Sequence, residues 1–185
     1  GLTLAEAEAR GFECCGIDPS GMLTDFARKR FGVAAFKTTI DRFSAEEAFQ
    51  GILLWDVLEH VPDPLTVVRE CRRLLQPRGY LFIQVPNYRG FSNRAKTLLN
   101  RIGMRSEFSH FGFPWHLFAF DIDSTKALLK RADFAIHTFH SLTSLRKNDR
   151  RRALPRIVDR YISLRCLGDY LTVVATPSGA PSGKS

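Results

Sequence analysis

An α/β fold, with a mainly parallel sheet and helices on both faces, follows from three features of this 185-residue sequence. Short apolar, β-prone segments alternate with helix-patterned ones, the order that builds a parallel sheet from strand–helix–strand units. The apolar run Gly51–Trp55 ends abruptly in Asp56, Glu59 and His60. Asp63-Pro64 then supplies an N-cap and a proline suited to the first helical position. A strand that runs into polar residues and then a helix has the carboxyl-end geometry where open α/β sheets hold ligands.

The elements can be justified in order. Residues 2–10 read as a helix stopped by Gly11, and Phe12–Asp18 (FECCGID) as a buried strand ending in an acid. Gly21–Phe31 carries Met22, Leu23, Phe26 and Ala27 at helical spacing. Val33–Phe36 reads as a short strand, followed by an irregular stretch through Gln50. Strand 51–56 and helix 64–75 come next, with Leu65, Val68, Cys71, Arg72 and Leu75 near helical spacing, so that one face is core. Gln76-Pro77-Arg78-Gly79 closes that helix and Tyr80–Val85 returns as strand. After Pro86 the pattern breaks into an amphipathic stretch, Ala95–Ile102, and an aromatic cluster from Phe108 to Phe120. Helix Ser124–Ala132, strand Phe134–His140, a basic linker, a helix near Ile157–Leu164 and strand Tyr170–Thr176 complete the order. The small-residue stretch 177–185 is expected to be disordered. The sequence opens with glycine on a helix, which reads as the tail of a glycine-rich strand-to-helix turn, so a further strand is expected upstream of Gly1.

A hydrophobic fraction of 44% is enough for the core of one domain. No apolar run approaches the length of a membrane span. The four cysteines show no CxxC spacing, so they read as reduced thiols of a cytoplasmic protein, and no metal site is expected. The net charge of +8 concentrates in Arg89–Arg105 and Arg146–Arg165. Such segments suit a solvated helix face or peripheral contact with an anionic membrane. Nucleic acid is not the expected partner, because no aromatics alternate with the arginines of Arg146–Arg156 to make a stacking platform.

Five motifs in order carry a family resemblance: Gly16-Ile17-Asp18-Pro19-Ser20; Asp56, Glu59, His60 and Pro64 as D-x-x-E-H-x-x-x-P; Leu74–Tyr80; Pro86-Asn87; and Pro114-Trp115-His116-Leu117 with Phe120. Together they resemble class I S-adenosylmethionine-dependent methyltransferases, over about residues 1–176. The resemblance implies a Rossmann-like sheet with an antiparallel last strand and an acceptor-side insertion at about 87–122. The family's first strand and acidic-x-G-x-G loop would precede this sequence, with Gly1 matching the loop's last glycine. Phe12–Asp18 and Gly51–Asp56 would then lack the strand that separates them in the family. The implied cofactor is S-adenosylmethionine, and the implied acceptor a small or lipid-linked molecule methylated at oxygen. The rival expectation is an inactive, truncated remnant or binding module; an RNA methyltransferase is a third reading.

Residue roles follow from chemistry and resemblance together. Asp18, with Pro19 beside it, can accept hydrogen bonds from ribose hydroxyls, or it can cap the helix near Gly21. Ile40 and Asp41 lie where the family holds adenine, although an aspartate there also suits a turn. Trp55 offers an aromatic face to a sulfonium cation, or packs in the core. His60 is a base for a hydroxyl acceptor, or ties its loop to the helix start as Glu59 would. Trp115 and His116 line the acceptor side, with core packing as the alternative for His116.

Overall fold

Capping side chains set most helix starts in the computed structural model, which describes residues 1–44, 49–103, 115–142 and 166–179. They fall in two compact units, Gly1–Glu46 and Glu47–Ser185.

In the first unit α1 (Leu2–Glu8) leads to β1 (Gly16–Asp18), α2 (Gly21–Phe31) and β2 (Ala35–Lys37). Ser20 caps α2 by accepting a hydrogen bond from the Leu23 amide, and Gly32 ends it with a left-handed φ of 72°. β1 and β2 pair in parallel, Ile17 opposite Phe36. Ala27, Val33 and Ala35 form the small core, with Leu4, Ala5 and Phe31 packed on it. The strand expected over Phe12–Asp18 is shorter than the sequence suggests. Only Gly16–Asp18 find partners, and Phe12 is 64% exposed. Ladder pairing, not apolar character, sets where a strand begins. Cys14 and Cys15 therefore precede β1, half-buried and unoxidised.

The second unit holds β3 (Phe49–Trp55), α3 (Pro64–Leu74), β4 (Leu75–Pro86), α4 (Phe91–Arg101), α5 (Ile122–Arg131), β5 (Phe134–Leu142) and β6 (Tyr170–Pro177). Its sheet runs β3-β4-β6-β5. β3 and β4 are parallel, with Leu53 opposite Phe82; β6 is antiparallel to both of its neighbours. Among the described residues, β1 pairs only with β2 and β3 only with β4. Alternate residues Leu81, Ile83 and Val85 of β4 and Leu171, Val173 and Ala175 of β6 are buried, as a half-covered sheet requires. Val68, Cys71 and Leu74 bring α3 into the same core at helical spacing. Burial pushes the Cys71 thiol up to about 12, which makes it an inert core group.

Several boundaries differ from the sequence reading. β4 starts at Leu75, not Tyr80, because Leu75 pairs with Phe49 and the register then shifts before Gly51 meets Tyr80. Residues 76–79 bulge between those pairs, and a Cβ on Gly79 would stand 2.9 Å from the Phe49 carbonyl oxygen. β6 continues through buried Pro177, and the Ser178 amide bonds the Asp133 carbonyl, so order extends into the stretch expected to be loose. The helix expected near Ile157–Leu164, the basic segment Arg146–Arg165 and the aromatics Phe108, Phe111 and Phe113 lie outside the described residues. Among those described, no helix is long and apolar enough to cross a membrane.

α5 opens with a capping box in which Asp121 accepts from the Ser124 amide and Ser124 Oγ accepts from the Asp121 amide. Asp121→Ala is expected to lower stability by about 1 kcal/mol, read as a fall in the urea midpoint at neutral pH. Burial acts against ionisation of Asp121, but the Ser124 amide and hydroxyl and the Arg89 guanidinium outweigh it and hold the carboxyl low. Its folded pKa lies below the ordinary 3.8, so the contribution is full above that value and is lost as pH falls through the folded one. The gap between wild type and variant should therefore close in acid. A gap that stays constant down to low pH would refute the charged cap.

Candidate functional site

The carboxyl ends of β3 and β4 carry the polar cluster that the sequence singles out. β3 stops at Asp56, whose φ of 51° is a left-handed backbone rarely adopted by a residue other than glycine. The Asp56 amide still bonds the Gln84 carbonyl at 3.0 Å, so the strained residue sits at the last rung of the ladder. Leu58 and Glu59 then turn inward and are 0% and 1% exposed. Asp63 accepts hydrogen bonds from the amides of Leu65 and Thr66, and Pro64 takes the first position of α3, as the motif requires.

Glu59 organises this corner through its backbone. Its carbonyl accepts the amide of Leu117 at 2.7 Å and that of Phe118 at 3.3 Å. Those two bonds carry the segment from Trp115 onto the strand tip. His60 Nδ1 then lies 2.9 Å from the Trp115 carbonyl oxygen. A carbonyl only accepts, so Nδ1 carries a hydrogen, and in the neutral ring Nε2 keeps its lone pair. The His60 and His116 rings meet edge to face with centroids 4.9 Å apart. His60 Nε2 is 3.9 Å from Glu59 Oε1. Burial raises the Glu59 carboxyl above the usual glutamate range; Asp56 adds to this, and His60 opposes it. Tyr170, at the start of β6, is also pushed up, first by burial and then by Asp56, Asp169 and Glu59.

Beside the cluster is a small cleft of about 50 Å³ lined by Pro86, Tyr88, Asn93, His116, Phe118, Ala119 and Phe120. Between the lining residues Pro86 and Tyr88, Asn87 is buried and donates through Nδ2 to the carbonyls of Cys166 and Gly168 at 2.9 and 2.7 Å. Tyr88, Asn93 and Tyr170 carry no motif, and sequence reasoning did not find them. Only Tyr88, just after the end of β4, had a positional signal.

The remaining expected residues divide between the units. Asp18 Oδ1 accepts the Ser20 amide at 2.7 Å, so Asp18 braces the turn while Ser20, not Asp18, is the helix cap. Among the described residues no protein group bonds Asp18 Oδ2. Pro19 is exposed beside it. Ile40 and Asp41 lie in a single 3₁₀ turn, with Asp41 exposed. A hydrogen bond from the Thr39 side chain holds the Asp41 carboxyl low. Gly1 packs on α2, where a Cβ would stand 2.7 Å from the Phe31 ring. In the second unit Trp55 is 46% exposed. Trp115 is 77% exposed and enters the site by its carbonyl, while His116 is half-buried at the cleft.

Comparison with known proteins supplies the family. A family model described as "Methyltransferase domain" matches residues 1–138. A ubiquinone biosynthesis O-methyltransferase of Actinobacillus pleuropneumoniae serotype 7 is 36% identical over 99 residues, covering 47% of this chain and 42% of the relative. The Xanthomonas campestris protein of the same description is 34% identical over 95 residues, covering 47% and 40%. This chain thus spans under half the length of those curated relatives. Among solved structures, a possible histamine N-methyltransferase of Thermotoga maritima aligns with a TM-score of 0.64 at 18% identity, over 92% of this chain and 75% of that one. The 1,6-didemethyltoxoflavin-N1-methyltransferase of Burkholderia thailandensis aligns at 0.59 with 19% identity, over 96% and 67%. At such identities these two structures establish the Rossmann-like fold.

Proposed function

Because the chain belongs to the methyltransferase-domain family, we propose that it transfers a methyl group from S-adenosylmethionine to an oxygen of a small or lipid-linked acceptor. The observation that carries the reading is His116, which lines an aromatic cleft and meets the His60 ring, just after the end of β3. Oxygen as the acceptor atom rests on the O-methyltransferase relatives.

The residues present fit the cofactor. Asp18 keeps Oδ2 available at the end of β1 for ribose hydroxyls, with Pro19 flanking it. Ile40 and Asp41 offer an apolar and a polar edge in an exposed turn suited to a purine. Trp55 presents an exposed ring to a cation. When bound, S-adenosylmethionine supplies an electrophilic methyl on a sulfonium. His60, with its Nε2 lone pair directed away from Trp115, is placed to receive the acceptor's hydroxyl proton. Phe118, Phe120 and Tyr88 line the cleft and offer aromatic surface to an apolar acceptor. A lipid-linked acceptor is supported by α4, which exposes Phe91 and Leu98 near Arg94, a combination suited to an anionic bilayer surface.

Calorimetric titration with S-adenosylmethionine, followed by S-adenosylhomocysteine release with a panel of phenolic and prenylated acceptors, tests the reading. Saturable binding with product formation is the expected result. Cofactor binding with no turnover on any acceptor would favour a binding module, and absence of both would refute the proposal.

A further inference from the structure

We propose that Glu59, His60 and His116 form a binding site for one divalent metal ion of the zinc class. One ligand atom from each residue lies within 4.8 Å of the others, although the sequence separates His116 widely from the other two. The Glu59 side chain is 1% exposed, and among the described residues neither carboxylate oxygen has a hydrogen-bond partner. A carboxylate in that position is costly unless a cation compensates it. Protonation does not remove the cost, because the resulting O–H also needs an acceptor and the described protein groups supply none.

The histidines are prepared for the same ion. His60 donates its Nδ1 hydrogen to the Trp115 carbonyl, which fixes the tautomer that leaves Nε2 as a ligand. A backbone carbonyl behind a metal-binding imidazole is the usual outer-shell support. Zinc–ligand bonds of about 2.0–2.1 Å place neighbouring ligand atoms about 3.4 Å apart. Glu59 Oε1 and His60 Nε2 are at 3.9 Å, so closing on an ion needs only a modest rotation of the partly exposed imidazoles. Two imidazole nitrogens and one carboxylate favour zinc, cobalt or manganese over magnesium or calcium. Three protein ligands also leave open positions, as a metal that receives an oxygen ligand requires.

The use of the ion rests on the methyl-transfer reading; the site does not. With an ion bound, His60 holds it instead of taking a proton, and the ion lowers the pKa of an acceptor hydroxyl bound to it. The hydroxyl then releases its proton to solvent, and its oxygen attacks the methyl carbon. The carbon–sulfur bond breaks with its electron pair going to sulfur, which leaves the neutral thioether.

The test uses the full chain, stripped with chelator and desalted, then titrated with Zn²⁺ by calorimetry and with Co²⁺ by visible absorption. One equivalent of each should bind, and Mg²⁺ should bind far more weakly. The Co²⁺ complex should lack the thiolate charge-transfer band that cysteine ligation would give. Glu59→Gln, isosteric and suited to the buried site, and His116→Ala, on a partly exposed segment, should each weaken Zn²⁺ by about tenfold or more. His137→Ala, whose imidazole bonds Thr176 in the sheet, should leave Zn²⁺ affinity unchanged. Absence of saturable binding would overturn the proposal. So would Zn²⁺ affinity equal in wild type, Glu59→Gln and His116→Ala with all three folded by circular dichroism. Metal binding without methyl transfer would leave the site standing and remove the proposed function; metal-independent turnover would overturn the ion's part in the reaction.

Discussion

His60→Ala should reduce methyl-transfer turnover by about a hundredfold or more, with S-adenosylmethionine affinity almost unchanged. The size follows from the placement of Nε2. The imidazole is oriented by its Nδ1 bond to the Trp115 carbonyl, so the other nitrogen is the group that an acceptor hydroxyl or a bound ion meets. Oriented proton acceptors and metal ligands act on the transition state more than on ground-state binding, which places the loss in kcat. A structural histidine would give a different pattern. Loss of its single bond to Trp115 would cost about 1 kcal/mol of stability, and turnover by the molecules that remain folded would be near normal. Single-turnover rates combined with a thermal melt separate the two outcomes.

Asp18→Ala should weaken S-adenosylmethionine binding by about 1.5–3 kcal/mol, roughly 10- to 150-fold, the scale for hydrogen bonds to a charged group. The carboxylate has two oxygens with separate duties: Oδ1 braces the Ser20 amide, and Oδ2 remains for a ligand. Asp18→Asn discriminates between them. Its amide oxygen can still accept from Ser20, so the turn survives, while the charge that attracts ribose hydroxyls is gone. If the asparagine variant binds as tightly as wild type by calorimetry, Asp18 serves the turn alone. Binding weakened in both variants supports the cofactor role.

Local chemistry made several features legible in the sequence. α3 begins where Asp63 and Pro64 say it should, because a cap is a short-range hydrogen bond between neighbours in the chain; α2 begins at Gly21 as expected, but its cap is Ser20 and not Asp18. Strand limits were less legible. Pro77-Arg78-Gly79 reads as a turn, yet pairing of Leu75 with Phe49 begins β4 earlier, and too few partners shorten β1. The site divides in the same way. Asp56, Glu59 and His60 share one turn and could be found together. The contribution of His116 depends on the Glu59 carbonyl capturing a distant segment, and that of Trp115 on a carbonyl every residue possesses. Neither has a signature in residue type. The burial of Glu59, which gives the corner its electrostatic character, is likewise a property of packing.

The position of β6 also governs the order in which this protein can be made. β6 lies between β4 and β5, and its residues 170–177 follow both neighbours in the chain. A nascent polypeptide emerging from the ribosome therefore exposes the apolar edges of β4 and β5 with the strand that joins them still unsynthesised. Leu81 waits for Ala175, and Phe134 for Pro177. Sheet closure is thus a late, non-local event with a large loop to close, and such topologies fold slowly. During that interval the half-built sheet is a natural client for chaperones. A stop codon anywhere before residue 170 would not merely shorten the protein; it would withdraw the strand that joins β4 to β5.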